Sequence, residues 1–211
     1  AGIQPIVATL ILMVGGRGIA MLITNGQIVT FERPGFVYLG NGHFLGVPFT
    51  LTIVLLMLTG AALLMRRTAC GLFVEAVGDN ETASRFSGVS TRLVKLSVYG
   101  FSGLCAGLAG LIAASNIKAA DSSRVGEMME LDAIFAVVVG GTALTGGRFN
   151  LLGSIIGALL IQTLTTTMIT QGMPPAIAPV PKAVVIVAVC LLQSGKFRAE
   201  VVGWFGRKAT A

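Results

Sequence analysis

Leu93-Val-Lys-Leu-Ser-Val-Tyr-Gly-Phe-Ser-Gly-Leu-Cys-Ala-Gly-Leu-Ala-Gly-Leu-Ile-Ala-Ala114 carries no charge beyond Lys95. About 20 consecutive apolar residues let a helix cross the hydrocarbon core of a bilayer, with every backbone donor and acceptor satisfied within the segment. Comparable runs on either side occupy Ile3–Ile23 and Leu151–Ile169, and shorter ones Phe49–Met65, Leu131–Leu144 and Ala183–Leu192. Six membrane segments are therefore expected. The fourth run ends in Gly140-Gly141. Short, glycine-interrupted segments belong where backbone lines a cavity or is sheltered by other helices. The expected fold is an all-α integral membrane protein, a polytopic transmembrane helical bundle with short or re-entrant helices.

Composition points the same way. Of 211 residues, 54% are hydrophobic and 11% charged, with mean hydropathy +0.86. A soluble domain carries about 25% charged residues. That excludes a cytosolic globular enzyme and a disordered chain. Cys70, Cys105 and Cys190 lie far apart with no metal-ligand spacing, and they read as small hydrophobes rather than staples. The net charge of +6 lacks a basic patch interleaved with aromatics, so it implies a membrane rather than nucleic acid. The chain opens at Ala1 in mid-pattern, which suggests the C-terminal part of a longer protein.

Positive charge sets the orientation. Arg66, Arg67, Arg85 and Arg92 lie between the second and third runs with Lys95 just inside the third, and Lys196, Arg198, Arg207 and Lys208 follow the sixth. Both the loop 66–92 and the tail 194–211 are expected in the cytoplasm. Four runs separate them, so the two assignments agree. Arg148 then falls on the inner face, and Thr24–Pro48, Asn116–Glu130 and Gln171–Pro181 on the outer. Trp204, among Val201, Val202 and Phe205, reads as an inner-interface anchor. Gly103/Gly107 and Gly153/Gly157 have the GxxxG spacing that lets helix backbones approach.

The inner loop contains Glu75-Ala-Val-Gly-Asp-Asn-Glu-Thr-Ala-Ser-Arg-Phe-Ser-Gly-Val89. Gly78 is expected to turn the chain and Asp79 or Asn80 to cap a helix over Asp79–Ser87. Glu81 near its start and Arg85 near its end suit the macrodipole, and Gly88 suits the C′ position. The exposed face would offer Ala83 and Phe86. Such a helix is either a surface connector or a knob seated on a cytosolic partner.

This stretch resembles the ATPase-contact loop of ATP-binding cassette (ABC) importer permeases of the ribose/xylose/galactose class. Pro5-Ile-Val-Ala-Thr-Leu-Ile-Leu-Met-Val-Gly-Gly-Arg-Gly-Ile-Ala20 and Glu130-Leu-Asp-Ala-Ile-Phe-Ala-Val-Val-Val-Gly-Gly-Thr-Ala-Leu-Thr-Gly-Gly-Arg148 resemble further blocks of that family, in the same order. Gly147-Arg-Phe-Asn-Leu151 and Gly172-Met-Pro-Pro175 are most similar to its galactofuranose-importing members, although many relatives have Gly where this chain has Phe149. Family members are longer, so the resemblance implies N-terminal spans absent here. It also implies Glu75, Ala76, Gly78, Asp79, Asn80, Ala83, Arg85, Phe86 and Gly88 as the ATPase-contact loop. The implied partners are an ABC ATPase subunit, a second permease subunit (identical or paralogous), a periplasmic sugar-binding protein and the lipid of the bacterial inner membrane.

No catalytic constellation or cofactor site is evident. His43 stands alone in an outer loop, and Ser194-Gly-Lys-Phe197 is not a phosphate-binding loop. The chain is expected not to be an enzyme, with ATP hydrolysed by a partner. Arg17, inside the first run, must face a cavity, pair with a carboxylate or snorkel. Asp132 could cap the fourth segment or accept from a sugar hydroxyl. Lys118, Asp121, Arg124, Glu127 and Glu130 form an outer loop that is either solvated or meets a binding protein. Thr142, Thr145, Ser154, Gln162, Thr163, Thr165, Thr166 and Thr167 could line a polar-tolerant path, although Ser and Thr also bond their own helix. The expected function is permease transport of a monosaccharide into the cytoplasm. The alternatives are an ATPase-independent carrier and a truncated, assembly-only subunit. Carboxylates confined to loops and segment ends disfavour the carrier.

Overall fold

The computed structural model describes residues 5–44, 46–142, 146–172, 174, 177 and 179–193. Helices dominate: α1 (Pro5–Thr24), α2 (Pro34–Asn41), α3 (Phe49–Arg67), α4 (Ala69–Asp79), α5 (Glu81–Phe86), α6 (Thr91–Ile117), α7 (Met129–Val139), α8 (Leu151–Thr170) and α9 (Pro179–Gln193). Four strands of two residues each accompany them: β1 (Val29–Thr30), β2 (His43–Phe44), β3 (Val47–Pro48) and β4 (Ala119–Ala120).

Each of the six apolar runs has its helix. Four of these, in α1, α3, α6 and α8, are long and apolar enough to cross a membrane. The fourth and sixth runs form the shorter α7 and α9, of 11 and 15 residues. The protein is thus all-α, polytopic and membrane-embedded. Large apolar side chains such as Leu12, Leu22, Leu56, Leu104 and Leu159 stand exposed along the long helices, a surface that lipid or other helices can solvate and water cannot.

The described contacts divide the chain into two units. The first comprises residues up to Leu72 together with Arg92–Glu127. In it, β1 pairs with β4 antiparallel, Val29 opposite Ala120, and Thr24 Oγ1 lies 2.9 Å from Ser122 Oγ. Ser115, fully buried near the end of α6, donates its hydroxyl to the Phe36 carbonyl at 2.6 Å and accepts the Gly40 amide at 2.8 Å. A Cβ on Gly40 would sit 2.7 Å from Asn116 Oδ1, so this approach of α2 to α6 requires glycine. The two connections 24–48 and 116–130 therefore meet, as two loops on one side of a membrane should.

The second unit comprises Phe73–Thr91 and the described residues from Met128 onward. Here α7 and α8 pack closely through Gly140, Gly153 and Gly157. A Cβ on Gly157 would lie 3.0 Å from the carbonyl carbon of Ala136, and one on Gly153 would strike the Gly140 carbonyl oxygen. Ala136, Ile161 and Met168 are buried, as is Ile186 on α9. Of the two GxxxG pairs only Gly153/Gly157 meets another backbone, whereas a Cβ on Gly103 or Gly107 would have nothing within 4 Å among the described residues.

Two local expectations are corrected. Gly78 does not turn the chain: it is the next-to-last residue of α4, a helix where the sequence predicts loop. Asp132 does not cap the fourth segment. The cap position belongs to Met128, with φ of 65°, and Asp132 lies inside α7, where its carboxylate is engaged elsewhere.

Candidate functional site

The inner-loop helix forms because both its ends are closed by local groups. Asn80 adopts extended backbone (φ −149°, ψ 101°) and its Oδ1 accepts the Ala83 amide at 2.9 Å. Such a cap contributes about 1 kcal/mol. Glu81 occupies the first turn and Arg85 the last, each at the pole that favours its charge. At the far end the Gly88 amide donates to Arg85 and the Val89 amide to Ser84, both at 3.1 Å, with Gly88 at φ +85°. That pair of bonds is the Schellman closure, which places glycine at the left-handed position. Ser87 adds a hydroxyl bond to the Ala83 carbonyl at 3.1 Å. A six-residue helix, too short to persist alone, is thereby fixed at both ends.

Its faces differ. Ser84 is buried, whereas Ala83 and Arg85 are exposed and Phe86 is 89% exposed. Phe86 thus leaves one apolar ring bare on an otherwise polar element. On the α4 side, Glu75 is half-buried and Ala76, Gly78 and Asp79 are exposed. The Asn80 amide donates to the Ala76 carbonyl at 3.1 Å while its carbonyl accepts from Ser84 at 3.0 Å. Asn80 is thus a bonded elbow between α4 and α5. All nine residues assigned to the loop by resemblance lie on this elbow and its two helices or, in the case of Gly88, immediately after them.

The α7–α8 connection lies against it. A Cβ on Gly78 would be 3.2 Å from the Gly147 nitrogen, and one on Gly147 would be 3.5 Å from Asp79 Oδ1. Gly146 and Gly147 have φ of +98° and +92°. Arg148 therefore follows a turn that touches the end of α4, as its expected position on the same side would have it.

Several of the hydroxyls expected to line a path are engaged in local hydrogen bonds. Thr142 Oγ1 accepts the Asn150 amide at 3.1 Å and Thr166 donates to the Gln162 carbonyl at 2.9 Å. Ser154, Thr163, Thr165 and Thr167 also bond carbonyls one turn earlier on or just ahead of α8. The five hydroxyls on α8 keep acceptor capacity but have already placed their protons, whereas Thr142 is seen only as an acceptor. Gln162 is exposed. Thr145, with Trp204 and the basic tail, lies outside the described residues. Arg17 borders an open hollow on α1 with Met13, Val14, Gly18 and Met21, and among the described residues no carboxylate pairs with it.

The sequence reading missed Lys182. Its Nζ lies 2.7 and 3.0 Å from the two oxygens of Asp132, joining α9 to α7, with the Lys side chain 14% and the Asp side chain 35% exposed. A usable signal was present: both residues open apolar runs that the charge pattern starts from the same side. In the loop 116–130, the Asp121 carboxyl is held below its ordinary range, chiefly by the Ser123 amide at 2.9 Å and then by the Ser123 hydroxyl, also at 2.9 Å. Among the described residues no group of three or more His, Cys, Asp or Glu could hold a metal ion.

A family model described as the permease component of the branched-chain amino acid transport system matches residues 1–192. The galactofuranose transporter permease protein of Escherichia coli K12 is 50% identical over 99% of this chain and 61% of its own length. The fructose import permease protein of Bifidobacterium longum is 40% identical over 92% of this chain and 56% of its own. For the ribose import permease protein of E. coli K12 the figures are 36%, 92% and 61%. The chain thus spans about three fifths of the length of the curated relatives it matches. No solved structure matches it.

Proposed function

Because the chain belongs to the family of branched-chain amino acid transport permease components, within which its relatives are sugar importer permeases, we propose that it acts as a membrane-spanning subunit of an ABC sugar importer. The cargo is a monosaccharide, galactofuranose before fructose or ribose, moved from periplasm to cytoplasm across the inner membrane. The identity of 50% to the galactofuranose permease, against 40% and 36% for the other two sugars, supports that order. The partners are a separate ATPase subunit, a second permease subunit and a periplasmic sugar-binding protein.

One observation carries the coupling role: α5 is closed at both ends by its own residues and presents Phe86 almost bare. A stiff element with one apolar anchor can seat in a groove on a cytosolic ATPase and transmit displacement, where a flexible loop would absorb it. Specificity would reside in the external binding protein, and weak contacts inside the permease would let the sugar leave. The carboxylate of Asp132, in the first turn of α7, is paired with Lys182 rather than left available to couple an ion.

The test is reconstitution of the assembled importer in proteoliposomes with its cognate periplasmic sugar-binding protein. Ala83→Glu places a charge on the seat of α5 and is expected to abolish ATP-dependent uptake while membrane insertion persists. Normal uptake and normal retention of the ATPase by that variant would defeat the reading. Uptake that continues without nucleotide would restore the carrier alternative.

A further inference from the structure

A pull on α5 has a covalent route along the chain, through α4 towards α3 and through residues 87–90 into α6. The contacts provide a shorter one. Gly78 stands two residues before the Asn80 elbow, and the Gly146–Gly147 turn lies directly on it. A Cβ on Gly146 would strike the Gly78 carbonyl oxygen and come within 3.0 Å of its carbonyl carbon, while one on Gly78 would be 3.2 Å from the Gly147 nitrogen. The contact is backbone on backbone. No side chain stands between the two segments to absorb a displacement by changing rotamer.

Beyond the turn, further contacts among the described residues extend the path. Thr142, three residues past α7, accepts the Asn150 amide, and Asn150 Oδ1 caps α8 through the Gly153 amide at 3.1 Å. Gly153 then lies on Gly140, and Gly157 on Ala136. At the other end of α7, the Asp132–Lys182 pair carries the link to α9. Residues 73–91 accordingly cluster with residues from 128 onward, though 36 intervening residues belong elsewhere (Arg92–Glu127).

Resting on the coupling role proposed above, we infer that α5 drives the α7–α8 pair by way of the end of α4, through the Gly78–Gly146–Gly147 contact, so that these glycines are positioning residues for transport. The block formed by α5, the end of α4, α7 and α8 moves as one body.

Two measurements on the complete importer test this. Gly78→Leu forces a side chain into the contact. Sugar moved per ATP hydrolysed, measured in assembled complexes, should fall about fivefold or more, the lower end of ordinary coupling strengths. An unchanged ratio overturns the inference. Independently, spin labels at Thr82→Cys and Arg148→Cys, both exposed sites, are introduced with Cys70, Cys105 and Cys190 replaced by Ser. Their separation should hold through the nucleotide cycle to within about 2 Å, the scale of a packed helix shift. A larger change shows that α5 and the turn part company, and also overturns it. This second readout decides the matter if Gly78→Leu does not assemble. Failure here is distinct from failure of the coupling role: if Ala83→Glu blocks uptake while Gly78→Leu transports normally, only the glycine route is lost.

Discussion

Asn80 concentrates more of the local order than any neighbour, because one side chain closes α5 while its backbone bonds both flanking helices. Asn80→Ala should cost about 1 kcal/mol, expressed as local opening. Hydrogen exchange at the Ala83 amide should accelerate several-fold, whereas amides in α8 keep their rates. Lys182 presents a different case. Removing Asp132 strands an ammonium group with little access to water, and breaking a fully buried pair costs about 3–5 kcal/mol. With Asp132 about a third exposed, the loss should be smaller. The expected outcome is that Asp132→Ala lowers the melting temperature in detergent more than the double variant Asp132→Ala/Lys182→Met does. Asp121 sets a pH dependence with a definite sign. Its folded pKa is depressed below the ordinary 3.8 by the Ser123 amide and hydroxyl. The turn is therefore fully held above that value and lost only as pH falls through the lowered pKa. Exchange at the Ser123 amide, corrected for intrinsic rate, should be flat from neutral pH to about 5 and rise only in stronger acid.

Among elements, the α7–α8 pair shows how glycine spacing acquires meaning only through a neighbour. Gly103/Gly107 and Gly153/Gly157 have the same spacing, yet a Cβ on Gly157 meets the backbone of Ala136 while one on Gly107 meets nothing among the described residues. Backbone cannot rotate away as a side chain can. Gly157→Ala should therefore destabilise the purified chain, and Gly107→Ala should be neutral or stabilising by up to about 1 kcal/mol through helix propensity. Thermal unfolding of both variants in the same detergent checks the ranking. The helix α4 escaped sequence reading because Ala69–Asp79 is short, contains two glycines and follows the second apolar run almost without a break. Gly78 signalled a turn by its identity. In the structure its missing side chain makes room for the Gly146–Gly147 turn instead.

Across the whole molecule, charge pattern and contacts agree on which connections share a side. The connections 24–48 and 116–130 meet through β1–β4 and Ser115, and the inner-loop helices meet the α7–α8 turn. Single cysteines at Asn80 and Arg148 should be labelled by an impermeant thiol reagent only from the cytoplasmic face, and cysteines at Thr30 and Ser123 only from the opposite face. Labelling Asn80 from outside would remove any role for α5 as an ATPase contact.

The sequence by itself determined the six apolar segments, the membrane as their solvent and a short capped helix, expected over Asp79–Ser87 and found over Glu81–Phe86. These depend on run length, on charge asymmetry, and on groups only a few residues apart whose bonding the chain cannot avoid. Its motifs also indicated the family. Tertiary structure alone decided that Asp132 belongs to Lys182, 50 residues away, that one GxxxG pair is covered while the other is open, and that Gly78 receives a distant turn. The reason is physical. Caps and spans are local, whereas ion pairs and backbone approaches between distant segments depend on which helix lands beside which, and composition does not encode that neighbour.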